Sequence, residues 1–508
     1  MTTMISPLQR ALAVGRHRPA VTCSGTTFTF EEMWERARHL VGGLHGLGVE
    51  RGDRVAIVGR NCHRYLEIYQ AIPGAGYVLV PLNQRHTVAE LRYALADSGT
   101  RVLFLHGDGA PFADVVEHVI DLDHAYEQLL DSAAPVDFPT DVSENDLAGL
   151  FYTGGTTGAA KGVMLTHRNL IANTFHFQTC YAFDADTRWL VVAPMFHAAG
   201  SVAVLATVWH AALQVVLGAF DPAATLDLIE RERVTATLVV PTMLAAISEE
   251  QLARPRDVSS LAMVSHGGSP VATETLRRAH AAFPDAQLLH LYGATETAPI
   301  ATALPHEERI LDTPLARSCG QQVVGVEIAV LDDAGAVQPS GSVGEVAVRG
   351  ANVMLGYWNK PAETERALVD GWYRSGDLGY QDDDGYLFLV DRAKDMIVTG
   401  GENVYSTEVE DVLYRHPMVL EAAVFGIPDQ RWGEAVHAIV VPRVPAADVP
   451  DLAAELIAFC RSEIAGYKVP KQIEVRDEPL PKSGAGKFLK RELRAPFWAD
   501  RDALVGGT

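Results

Sequence analysis

Five cysteines in 508 residues, Cys23, Cys62, Cys180, Cys319 and Cys460, make an odd set without CxxC spacing. That excludes a disulfide framework or a cysteine zinc site, and it suits a reducing compartment. No apolar run is long enough to span a bilayer, and Met1 to Arg10 lacks the apolar core of a signal peptide. Positive charge is scarce: 42 Lys and Arg stand against 64 Asp and Glu, a formal charge of −22. A surface of that sign argues against nucleic acid or an anionic membrane as partner. It also requires that any anionic ligand be met by locally gathered Lys, Arg or metal. Low-complexity tracts and Pro/Gly-rich linkers are missing too, so a division between domains has to be a short hinge. What is present is globular, 48% hydrophobic and 21% charged, and too long for one ordinary core. Two or more domains and a soluble cytoplasmic enzyme are the expectation.

Residues 20 to 110 alternate two periodicities. An amphipathic helix is expected from Thr29-Phe30-Glu31-Glu32 towards Leu47, and another around Tyr65 to Ala71. Buried strands are expected at Val55 to Val58, at Tyr77 to Val80 ended by Pro81, and at Arg101 to Leu105. Strands separated by helices predict a parallel sheet with crossover helices. The rhythm returns at Trp189 to Val192, Gln214 to Leu217, Thr237 to Val240 and Leu261 to Val264, which predicts a second α/β layer. From Gly320 to Gly350 short strands and Gly/Asp turns predict a small antiparallel barrel or sheet, and Asp382-Asp383-Asp384-Gly385 reads as a hairpin turn. Beyond Asp391 comes a compact α+β segment ending in a basic patch, Lys482 to Arg494.

The chain is organised around Phe151-Tyr152-Thr153-Gly154-Gly155-Thr156-Thr157-Gly158-Ala159-Ala160-Lys161-Gly162. Gly154, Gly155 and Gly158 let backbone amides approach an anion closely, Thr153, Thr156 and Thr157 add hydroxyl donors, and Lys161 adds charge. This is a phosphate cradle, though not a Walker loop, because Lys161 is followed by Gly162-Val163 rather than Ser or Thr opening a helix. Thr166, just beyond Val163-Met164-Leu165, is placed to cap a helix.

This order of residues resembles the nucleotide signature of the AMP-forming acyl-CoA synthetases, the adenylate-forming superfamily. Gly154 stands where that family often has Ser and Ala160 where it usually has Pro. Further segments resemble the family in order between about residues 30 and 490: Gly267-Gly268-Ser269-Pro270, Leu291-Tyr292-Gly293-Ala294-Thr295-Glu296, Trp372 to Asp377, Asp391-Arg392-Ala393-Lys394-Asp395 and Pro481 to Lys487. The resemblance implies an α/β multidomain fold. A large N-terminal domain over 1–392 holds two α/β layers and a small β-barrel-like part, and a mobile α+β domain over 393–508 carries a catalytic Lys.

It also implies roles. Thr153, Gly154, Gly155, Thr156, Thr157, Gly158 and Lys161 bind the ATP phosphates, and Gly268 and Ser269 line the base. Tyr292, with Gly293 beside it, stacks on adenine. Thr295 contacts phosphate, and Glu296 holds Mg²⁺, a hard ion that takes few carboxylates beside phosphate and water. Asp377 accepts both ribose hydroxyls, since each carboxylate oxygen can take one. Arg392 reaches the ribose–phosphate side, and Lys394 is the pivot. Lys487 stabilises charge during adenylation; with it, Thr153, Glu296 and His197 form the catalytic set. Gly400, Gly401 and Glu402 line the path of CoA. Amino-acid-activating members typically have Asp where Pro194-Met195-Phe196-His197 places His197, so an apolar acid is expected: a fatty acid, with an aryl acid or an acyl group passed to a carrier-protein thiol as alternatives. ATP, Mg²⁺ and CoA follow as co-substrates and cofactor, and a homodimer is compatible with the family.

Overall fold

A computed structural model describes residues 2–153, 160–201, 203–269, 271–392, 395–429, 431–482 and 488–498, with Arg392 described by its backbone alone. Packing divides the chain into two units. One comprises Met1–Pro270, Leu276–Ile328 and Ala347–Ser375; the other comprises Val271–Thr275, Ala329–Val346 and Gly376–Thr508.

The first unit holds two large sheets. A seven-stranded sheet has Val78–Leu82 at its centre, and Arg54–Val58 lies parallel between that strand and Thr100–Leu105. These strands are near-continuous hydrophobic runs because helices cover both faces. The helices His63–Gly74 and Val88–Ser98 make the crossovers, the second capped by Thr87 accepting from the Glu90 amide while Glu90 accepts from the Thr87 amide. The helix expected after Thr29 runs Phe30–Gly46 behind a capping box of Thr29 and Glu32. Pro81 does not end its strand, which continues to Leu82 with Pro81 opposite Ile57. The ring's fixed φ is compatible with extended backbone and removes only one donor.

The Gly/Thr-rich stretch connects two antiparallel strands of this sheet, Leu147–Thr153 and Lys161–Thr166, whose last pair is Thr153↔Lys161. Thr166 then caps helix His167–Cys180 by accepting from the Asn169 amide. A nine-stranded sheet contains the second rhythm; within it Ala236–Val239, Met263–Gly267 and Gln287–Tyr292 run parallel. Ligands of open parallel sheets bind beyond the carboxyl ends of the strands, where the glycine-bearing segments at Gly268 and Gly293 follow.

Val326–Leu331 and Gly344–Gly350 belong to the small sheet expected between Gly320 and Gly350, and its remaining strands, Leu368–Val369, Trp372–Gln381 and Leu387–Arg392, lie beyond those bounds. Asp382 to Gly385 is its hairpin turn, with the Gly385 amide donating to the Asp382 carbonyl. In the second unit the long hairpin of Val419–Asp429 and Gly433–Pro442 is covered by helices Ser406–Arg415 and Leu452–Glu463. Val409, Leu413, Val424, Val436, Ala438 and Leu456 fill that core.

Candidate active site

In the first unit, strand Gln287–Tyr292 delivers Tyr292, half-buried, and the chain then turns through Gly293 into the single turn Thr295–Thr297. Gly293 has φ +158°, and a Cβ there would collide with the Pro299 carbonyl oxygen, so the close turn admits only glycine. Thr297 Oγ1 closes the turn by accepting from the Ala294 amide at 3.0 Å. Asn352 fastens the same turn from outside, donating to the carbonyls of Thr297 at 2.8 Å and Ile300 at 2.9 Å.

Glu296 is 9% exposed. Its Oε1 accepts the Tyr357 hydroxyl at 2.8 Å, and its backbone carbonyl accepts the Met354 amide at 2.8 Å. Tyr357 belongs to the two-residue strand Gly356–Tyr357, paired with Lys161–Thr166 through Tyr357↔Val163. The Lys161 ammonium sits over the Tyr357 ring, 4.6 Å from its centroid. One tyrosine therefore connects the lysine that follows the Gly/Thr-rich stretch to the carboxylate expected to face Mg²⁺. Burial and the neighbouring Glu296 carboxylate push the Tyr357 phenol far above its ordinary value, so it stays protonated as a donor.

Gly268, at φ +84°, and Ser269 follow the strand Met263–Gly267, which lies beside Gln287–Tyr292. The structure thus pairs Thr153 with Lys161 in one sheet, places Gly293, Thr295 and Glu296 just after the strand of the other sheet that Tyr292 ends, and connects Lys161 to Glu296 through Tyr357. Gly154, Gly155, Thr156, Thr157 and Gly158 lie outside the described residues.

His197 lies in the turn before the short helix Ala198–Ser201, its amide donating to the Pro194 carbonyl at 3.2 Å and its ring against Phe196. Asn61 holds this turn from the side, donating to the Ala193 carbonyl at 2.9 Å and accepting from the Met195 amide at 3.0 Å. The Tyr69 hydroxyl donates to Ser201 Oγ at 3.0 Å. Ala198, Ala199, Gly200 and Ser201 put small side chains next to the histidine.

In the second unit Asp377 is buried on Trp372–Gln381, directly opposite Arg392 on Leu387–Arg392. Gly400 and Gly401, at φ +63° and +87°, form the turn between strands Ile397–Thr399 and Glu402–Val404. The Gly400 amide donates to the Trp432 carbonyl at 2.8 Å, and Glu402 is exposed. Lys394 and Lys487, like the Arg392 side chain, fall outside the described residues.

Tyr357, Asn352 and Asn61 were not singled out in the sequence. Each acts through a partner more than fifty residues away, and nothing in Gly356-Tyr357-Trp358-Asn359 indicates that partner. Among the described residues no group of three or more His, Cys, Asp or Glu could hold a metal. A lone carboxylate fits an ion ligated largely by phosphate and water, as Mg²⁺ commonly is.

Known proteins resemble this chain in sequence and fold. The family model for AMP-binding enzymes matches residues 8–358, and that for the AMP-binding enzyme C-terminal domain matches residues 408–487. A feruloyl-CoA synthase of Amycolatopsis sp is 40% identical over 97% of this chain and 98% of its own. A fatty acid–[acyl-carrier-protein] ligase of Streptomyces coeruleorubidus is 36% identical over 95% and 94%. Among solved structures, the o-succinylbenzoate CoA synthetase of Bacillus subtilis in complex with its acyl-adenylate intermediate superposes with a TM-score of 0.87 at 30% identity, covering 100% of both chains. The chain belongs to the AMP-binding enzyme family and is an adenylate-forming acid–thiol ligase.

Proposed function

We propose that the protein converts an apolar carboxylic acid to its CoA thioester in two steps, using ATP and Mg²⁺. In the first, a carboxylate oxygen of the acid attacks the α-phosphorus of ATP, the bond to the β-phosphate oxygen breaks, and pyrophosphate leaves. In the second, the CoA sulfur attacks the acyl carbon and AMP leaves with the bonding electron pair. The observation that carries this reading is the Lys161–Tyr357–Glu296 connection, which joins an ammonium to a buried carboxylate through one tyrosine. Lys161 offsets phosphate charge, and Glu296 is the residue suited to hold Mg²⁺. The ion would neutralise phosphate oxygens and orient the leaving pyrophosphate. Tyr292 offers a ring to adenine, and Asp377 a carboxylate to the ribose.

Lys487 is proposed to act in the first step, and the Gly400-Gly401 turn with Glu402 in the second, with Lys394 as the hinge. A boundary at residue 392 is supported by the gap between the two family matches, which end at 358 and begin at 408.

His197 in place of an acidic residue, with Ala198 to Ser201 beside it, favours a substrate without an amino group. Burying an ammonium with no carboxylate partner is strongly disfavoured. An aryl-propenoic acid, suggested by the likeness to the 40%-identical feruloyl-CoA synthase, and a fatty acid are the acids to test first. The test is a panel of ferulic, benzoic, octanoic and hexadecanoic acids with ATP, Mg²⁺ and CoA, following pyrophosphate and thiol consumption separately. An apolar acid should give both products. Pyrophosphate exchange with free α-amino acids exceeding that with every acid of the panel would overturn the substrate class. The 36%-identical carrier-protein ligase supports a second reading: pyrophosphate release without CoA consumption, together with acylation of a supplied acyl-carrier protein, would make that the reaction.

A further inference from the structure

Lys490 opens the helix Lys490–Trp498, where the helix dipole disfavours a cation. Its side chain is only 16% exposed, and its ammonium lies 2.7 Å from Glu410 Oε1, itself on a side chain 14% exposed. The same ammonium donates to Ser406 Oγ at 2.7 Å. Ser406 in turn donates to both oxygens of Asp391, through its amide and, at 3.2 Å, through its hydroxyl. Asp391 is buried and immediately precedes Arg392. Glu410 Oε1 also takes the Val424 amide at 2.8 Å, which anchors it to the long hairpin. Burial opposes the charge on Lys490, but Glu410, Asp391 and Asp395 outweigh it and hold the ammonium more firmly than usual.

The helix does not need this lysine for its attachment. Arg494 bonds Glu434 at 2.8 Å, the Trp498 indole donates to the Gly426 carbonyl at 3.2 Å, and Leu493 is buried among Phe425, Ile439 and Leu480. What Lys490 adds is a tie to a different element, the strand Leu387–Arg392 that leads into the proposed hinge. Two residues upstream of Lys490 the chain is pinned again. Phe488 bridges Lys482, the Leu489 amide donates to the Pro481 carbonyl at 2.8 Å, and the Lys482 ammonium pairs with Glu421. Residues 482 and 488 bracket the segment that carries Lys487.

We propose that Lys490 is a positioning residue for adenylation: through Glu410, Ser406 and Asp391 it locks the base of the Lys487 segment to the strand entering the hinge. The inference rests on the two-step reaction proposed above. Removing the ammonium leaves Glu410 and Asp391 as buried carboxylates without their shared cation, and the base of the segment loses its reference to the hinge strand. A small misplacement of a catalytic group costs rate in the step that uses it.

The experiment first confirms that the wild-type chain releases pyrophosphate and forms acyl-CoA; if it does neither, the two-step reaction is wrong and this inference falls with it. With both present, Lys490→Met should lower pyrophosphate release by a factor on the order of 10 to 100. Transfer from supplied acyl-AMP to CoA should change little, and Lys490→Arg should restore much of the first step. Ser406→Ala, which cuts the link to Asp391 and leaves the ion pair, should show the same selectivity to a smaller degree; it carries the test if Lys490→Met does not fold. Equal losses in both steps, matching a loss of folded protein by circular dichroism, would make the network merely structural. Unchanged pyrophosphate release in folded Lys490→Met would likewise overturn the proposal.

Discussion

As the proposed Mg²⁺ ligand, Glu296 has to serve two demands that pull apart, burial in the turn after Tyr292 and availability as a charged ligand. The Tyr357 hydroxyl at 2.8 Å reconciles them by giving the carboxylate a donor inside the protein while Lys161 lies across the same ring. Tyr357→Phe should keep the ring under Lys161 and strip that donor, costing about 1–3 kcal/mol for a buried acceptor left unpaired. The measurement is a thermal melt combined with a Mg²⁺ titration of pyrophosphate release, and the titration should move to higher Mg²⁺. Glu296→Gln should move it further, because an amide keeps an oxygen but loses the charge that competes with water for a hard cation. Unaltered titrations in both variants would remove this pair from the metal's surroundings. At Lys487 the expectation is kinetic: Lys487→Ala should cost about 10²–10³ in adenylation and spare thioester formation from supplied acyl-AMP. Equal losses in both half-reactions would show that the lysine has no selective part in the first.

Turns, more than helices or strands, carry the proposed chemistry at the scale of the elements, and the glycines within them are constrained in different ways. Gly401 has φ +87° with open space where a Cβ would stand, so Gly401→Ala strains only the backbone, by roughly 1–2 kcal/mol. Gly293→Ala drives a methyl into the Pro299 carbonyl and must displace the turn bearing Glu296. Melting should therefore fall more for Gly293→Ala than for Gly401→Ala. Pyrophosphate release should suffer in the Gly293 variant and acyl-CoA formation in the Gly401 variant. The opposite ranking of stabilities would show that the Pro299 contact relaxes easily.

For the molecule as a whole, imidazoles buried without charge make the folded chain sensitive to acid. His266, His290 and His306 stack in the first unit, with ring centroids 5.0 to 5.3 Å apart and His266 Nε2 3.2 Å from His306 Nδ1. Burial holds His290 down at about 4, and His306, with His290 and His280 adding repulsion, at about 3. An unfolded histidine titrates near 6.5. Below that value the unfolded chain takes up protons that the folded chain refuses, so stability is fully present above pH 6.5 and falls as the pH drops towards 4. By pH 5 each such imidazole costs about 2 kcal/mol. Melting temperatures between pH 7.5 and 5 should fall steeply, and His290→Gln should flatten the slope. A parallel, unflattened slope would place the acid sensitivity elsewhere.

Much of this was determined by the sequence alone. Strand and helix alternation, the helix start at Thr29, the Thr166 cap and the hairpin turn at Asp382 to Gly385 are legible because each depends on neighbours within a few residues. Pro81 is the local exception, since neighbouring strands carry the chain on to Leu82 where propensity would end it. Tertiary structure decided what lies between distant segments. Tyr357 reaches Glu296, Asn61 steadies the turn that bears His197, and Lys490 finds Ser406 and Asp391, all across separations that no periodicity encodes. Buried polar groups must be paired, so each is assigned a partner only when the packed chain brings one within hydrogen-bonding distance.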